Sequence, residues 1–65
     1  MSYRIPGKSP DNQCVAWLCQ DAAECLRLAR QALVYSDFPR ADFYLQAAAY
    51  YVEEARRENK KAFEQ

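Results

Sequence analysis

The chain has no histidine, a single glycine and no net charge, nine basic residues balancing nine acidic ones. Without histidine the commonest general base is missing, and zinc loses its usual nitrogen ligand. One glycine, Gly7, cannot build a phosphate-cradling loop. Balanced charge argues against a surface designed around phosphate contacts. Residues 1–10 carry +2 from Arg4 and Lys8, while 11–35 and 36–65 each carry −1. No apolar run approaches the ~20 residues of a membrane span, and the start, Met1–Pro6, lacks the apolar core of a signal peptide. The carboxylates fall on solvated helix faces, where ordinary acidity is expected. These absences predict a soluble, cytoplasmic protein that is not an enzyme and takes no cofactor or metal.

Cysteine is present but in an unhelpful pattern for cross-linking. Cys14, Cys19 and Cys25 are odd in number and contain no CxxC pair. Cys14 and Cys25 share a helix face but stand about 16 Å apart along it, far beyond disulfide reach. Buried, reduced thiols acting as small hydrophobes are expected, in a reducing cytosol. At 65 residues one domain is near the lower size limit for an unaided core. With disulfide and metal set aside, oligomerisation remains as the staple.

What is present is helix. Residues 1–8 hold Pro6-Gly7 and no periodicity, and read as a flexible lead-in. Residues 9–65 form the hairpin. Ser9-Pro10-Asp11 starts a first helix, with a capping serine, a proline suited to the first position and an acid at the positive dipole end. That helix runs to about Tyr35 without an interior glycine or proline. Ser36-Asp37-Phe38-Pro39 breaks the pattern, with Asp37 as cap for a second helix over about 39–62. So short a connection makes the helices antiparallel neighbours. The second helix has a seam of Ala41, Leu45, Ala48, Val52, Ala55, Asn59 and Ala62, with Tyr44 and Tyr51 flanking it. Many alanines imply closely approaching axes. Asn59 either fixes register in that seam or lies where the helix frays into solvent.

The first helix carries more apolar surface than one partner can cover. Val15, Ala22 and Ala29 form one row, Leu18, Cys25 and Ala32 a second, and Cys19, Leu26 and Leu33 a third. With Trp17, Leu28 and Tyr35 beside them, roughly 200° of the wheel is apolar, whereas one neighbour covers roughly 100°. The expected fold is an all-α antiparallel hairpin that dimerises into a four-helix bundle. Trp17, Leu18, Cys25, Leu28 and Tyr35 are its candidate interface. Tyr3 and Ile5 could instead fold back across that stripe.

Two further surfaces stand out. Phe43 and Tyr50, with Ala47 between them, project about 150° from the second seam, where a polar residue is the ordinary occupant. They are candidates for binding a protein partner. Arg56, Arg57, Lys60 and Lys61 form the one basic cluster, interleaved with Glu53, Glu54, Glu58 and Glu64 at spacings that make intrahelical pairs. That cluster is the candidate nucleic-acid surface in an alternative reading.

Three resemblances follow from these residues. Ser36-Asp37-Phe38-Pro39-Arg40-Ala41 with Tyr44, Leu45 and Ala48, preceded by Leu28 and Ala29, resembles the middle of a tetratricopeptide repeat. A single copy with serine where that repeat has glycine makes this a shared solution to a tight helix-helix turn. Two helices of about 25 residues joined by a short turn are similar to the plasmid copy-number protein Rop. This likeness implies an antiparallel four-helix bundle of two chains and, through Arg56, Arg57, Lys60 and Lys61, binding of RNA or DNA. The total length, the brief Met1–Pro10 lead-in and the Cys-rich, Tyr-rich hairpin of Asp11–Ala62 resemble the very short early-region proteins of lambdoid phages. That resemblance implies a small regulatory factor that acts by binding host proteins. The function expected is therefore a non-catalytic interaction protein whose partners are itself and a host protein.

Overall fold

The computed structural model describes residues 10–64. The expected lead-in over 1–8, the Ser9 cap and the fold-back of Tyr3 and Ile5 lie outside them. Among the described residues the fold has two helices, α1 (Pro10–Val34) and α2 (Phe38–Phe63), antiparallel and packed along their length. The hairpin is a single layer, only 10 Å deep in its thinnest direction between Cα atoms. No helix among the described residues is long and apolar enough to cross a membrane.

The turn explains why both helices end within a residue of expectation. The amide of Ser36 donates to the Leu33 carbonyl at 2.9 Å, and that of Asp37 donates to the Ala32 carbonyl at 2.9 Å. This pair of bonds is a Schellman closure, which requires a left-handed residue between them. Ser36 supplies it at φ 57°. Tyr35 thereby becomes the cap of α1 and not its last helical residue. Asp37 closes one helix and opens the next: its Oδ1 accepts from the Arg40 amide at 3.2 Å, and its backbone oxygen accepts from Ala41 at 2.9 Å. Arg40 Nε also donates to Asp37 Oδ2 at 3.1 Å. With the cap at Asp37, Phe38 is the first helical residue and Pro39 follows in the first turn, where a missing N–H costs nothing.

The core is alanine. Ala22, Ala29 and Ala32 of α1 and Ala41, Ala48 and Ala55 of α2 are the buried apolar side chains among the described residues, Ala29 and Ala41 at 2% exposure. No large side chain among them is fully buried. Val15, Leu18, Cys25 and Leu28 on α1, and Tyr44, Tyr51 and Ala62 on α2, are half-buried beside the alanines.

This corrects the expected α2 seam. Leu45, Val52 and Asn59 are exposed, and Tyr44 and Tyr51 take their place beside Ala41, Ala48 and Ala55. The alanine row belongs to both alternatives, so it cannot decide which neighbouring row turns inward. Tyrosine brings more apolar area than leucine or valine and can keep its hydroxyl at the rim. The seam thiols are also less buried than expected, Cys14 and Cys25 half-buried and Cys19 exposed, all three free.

Candidate interaction surface

The hairpin has two broad sides, and the helical wheel assigns residues to them. On α1 the row one step past the buried seam is Cys19, Leu26 and Leu33; on α2 it is Phe38, Leu45 and Val52. Because the helices run in opposite directions, these two rows fall on the same side. Leu26, Leu33, Leu45 and Val52 lie between 44% and 49% exposed. Each is shielded on one flank by the seam and open on the other. Arg30 and Arg56 stand at the edges of this side, and Asn59 continues the α2 row beyond Val52. The result is an aliphatic face without a charged side chain in its middle.

The opposite side carries most of the exposed aromatics, Phe38 at 65% exposure being on the aliphatic side. Trp17, Tyr35, Phe43 and Tyr50 are 61–75% exposed there, amid Asp21, Glu24, Gln31, Arg40 and Lys61. Near the turn the two helices leave an open groove of about 320 Å³, lined by Leu28, Gln31 and Tyr35 of α1 and by Arg40 and Tyr44 of α2. That lining agrees with the wheel in setting both helices' residues on one side. The Phe43 ring meets Tyr44 edge-on at 5.3 Å and 70°, and Tyr50 meets Tyr51 at 5.6 Å and 67°. Each exposed ring is thus braced by a half-buried one from the seam. This edge-to-face arrangement suits the ring quadrupoles, and it recurs one heptad apart.

The expected interface set is therefore divided. Leu18 and Cys25 are half-buried in the intramolecular seam, and Leu28 is half-buried beside it, whereas Trp17 and Tyr35 are exposed. Phe43 and Tyr50 are exposed but lie nearer the hairpin's flank than expected, since the seam turned toward Tyr44 and Tyr51, and Ala47 between them is half-buried. Trp17, Tyr35, Phe43 and Tyr50 consequently share one side of the molecule. Periodicity alone does not isolate the face of Leu26, Leu33, Leu45 and Val52, because it places Leu45 and Val52 in the seam. The signal was available in the repeat itself: Ala22-x-x-Cys25-Leu26 and Ala29-x-x-Ala32-Leu33 on α1 match Ala41-x-x-Tyr44-Leu45 and Ala48-x-x-Tyr51-Val52 on α2.

The basic cluster is largely neutralised in place. Arg56 pairs with Glu53 at 3.5 Å, Arg57 with Glu54, and Lys61 with Glu58 at 3.2 Å, all three residues apart on the helix. The Glu54 carboxylate holds the Arg57 guanidinium more firmly protonated through their hydrogen bond. Lys60 and Lys61 occupy the last turn of α2, where cations complement the helix dipole. Among the described residues, no three histidine, cysteine or acidic side chains converge as a metal site would require. Comparison of the chain with protein-family models, with curated proteins and with solved structures returns no match.

Proposed function

We propose that this protein is a non-catalytic interaction protein that self-associates and, as a bundle, presents its aromatic side to another protein. One observation carries the reading: among the described residues the buried side chains are alanines, and most of the large apolar ones are exposed. A domain of this size folded for its own sake would turn those groups inward. Two copies closing face to face as a four-helix bundle satisfy one side. Trp17, Phe43 and Tyr50 on the other side are large, exposed and aromatic, the residue types that dominate contact energies. In this reading the bundle works by occupying a surface on a host protein.

The primary test is solution mass across concentration, by sedimentation equilibrium under reducing conditions. A dimer supports the reading, and a folded monomer at all concentrations refutes self-association. Capture of a protein that resists salt and is lost in Phe43→Ala or Tyr50→Ala supports the aromatic side as the second contact. Steeply salt-dependent RNA binding, lost when Arg56, Arg57, Lys60 and Lys61 are replaced, would refute it in favour of nucleic-acid recognition.

A further inference from the structure

We infer that the aliphatic face is closed by a second copy of this chain in one particular arrangement, turned end for end so that the two turns lie at opposite ends of the bundle. This rests on the self-association proposed above and specifies its face and symmetry. The face consists of two short rows, Cys19, Leu26 and Leu33 on α1 and Phe38, Leu45 and Val52 on α2, each spaced by seven. Residues equidistant from the turn share a level along the hairpin. Leu26 and Leu45 therefore lie within about 3 Å of one level, as do Leu33 with Phe38 and Cys19 with Val52.

Those three levels differ in bulk. The level nearest the turn holds leucine and phenylalanine, the middle holds two leucines, and the far level holds cysteine and valine. A two-fold axis through the middle, perpendicular to the helices, sets Leu26 on its own copy and Leu45 on its own copy. It sets the bulky turn level of each chain on the small far level of the other. Every layer then has similar volume, which close packing requires. An axis parallel to the helices stacks the turn level on itself and the far level on itself. That bundle is overfilled at one end and hollow at the other. Its compensation is a rim ion pair between Arg30 and Asp42 of the second copy, and exposed pairs of this kind contribute little.

The dimensions fit a self-contained interface. Stacked about the Leu26 level, the two hairpins overlap over about 25–30 Å and about 20 Å across, on the order of 550 Å² per copy, which clears the ~1,000 Å² in total that a specific interface needs. Either two-fold makes the contact isologous, so that it closes with two chains and leaves nothing to propagate; the matching of bulky and small levels selects the perpendicular one.

The test is a distance between turns. With Cys14, Cys19 and Cys25 changed to serine and S36C carrying a nitroxide, dipolar spectroscopy on the dimer should read about 30 Å or more. A separation well below ~20 Å overturns the end-for-end arrangement while leaving self-association intact. A monomeric mass for the unsubstituted chain overturns self-association itself. Isotope-filtered NMR on mixed-label dimers of the unsubstituted chain gives the same decision without mutation. Contacts between the Phe38 ring and Val52 methyls of the other copy are expected. Contacts between Phe38 and Leu33 of the other copy, in their place, refute the arrangement.

Discussion

The two sides of the hairpin are built from the same helices yet differ in chemistry. One is aliphatic along its middle, with side chains half-sunk beside the alanine seam; the other sets exposed aromatic rings among charges. Aliphatic groups have no hydrogen-bonding capacity and gain in proportion to the area covered, so they gain most where the cover is complete, as in a core divided between two chains. Tyrosine and tryptophan tolerate a wet rim, because part of each ring system is polar. In the proposed function an exposed apolar residue on this protein has two meanings, and the side it occupies distinguishes them.

The sharpest way to break the comparison is to charge each side in turn. Leu26→Glu should weaken self-association on the order of 100-fold, about 3 kcal/mol, because a carboxylate would be trapped against apolar neighbours. Phe43→Glu should leave the association constant nearly unchanged. Sedimentation equilibrium on both variants decides the matter, and equal losses would erase the distinction between the sides.

A smaller effect tests the seam beneath both faces. Ala48→Leu should destabilise the hairpin by about 2 kcal/mol by forcing the axes apart. Ala49→Leu, one residue on and exposed, should stay within about 0.5 kcal/mol of the parent. Chemical denaturation of the pair provides the measurement. Similar midpoints would mean that the alanine row does not set the interhelical distance.

At the turn, Asp37→Ala should cost about 1 kcal/mol through the lost cap on the Arg40 amide. Ser36→Gly should act oppositely, with a gain of about 0.5–1 kcal/mol from relieving a left-handed serine. Both can be read from thermal melts at one fixed protein concentration. The smallest effect belongs to Glu24, whose hydrogen bond to Arg27, with the nearby charge, holds its carboxyl below the usual value. A depressed acid contributes above its unfolded pKa and loses that contribution as pH falls through the folded one. Carbon-13 titration should therefore place Glu24 below an ordinary glutamate, and Glu24→Gln should flatten a slight acid-side decline in stability. Since both partners are exposed, the change in melting temperature at neutral pH should be close to nil.

Much of the architecture was legible in the residues. Pro10, the uninterrupted helix formers after it and the Ser36–Pro39 break located both helices and their turn to within a residue at each bound, because caps and breakers act locally. Ala22, Ala29, Ala41, Ala48 and Ala55 announced a close seam through their spacing of seven. The wide stripe of α1 likewise announced that α2 alone would leave part of it exposed, as Trp17, Leu26, Leu33 and Tyr35 are.

Which rows the seam admits was a different kind of question. Leu45 with Val52 and Tyr44 with Tyr51 flank the same alanines at equal spacing, so periodicity scores them alike. A rotation of α2 by some 45° about its axis exchanges them. Only the packing of both helices together, with tyrosine rings filling the edges of the alanine seam, decided that rotation. Sequence by itself determined the helices, the turn and the excess of apolar surface, since those depend on neighbours within a few residues. Tertiary structure decided which side receives the aliphatic excess and which the aromatic, since that depends on the fit between helices whose facing residues lie far apart in the chain.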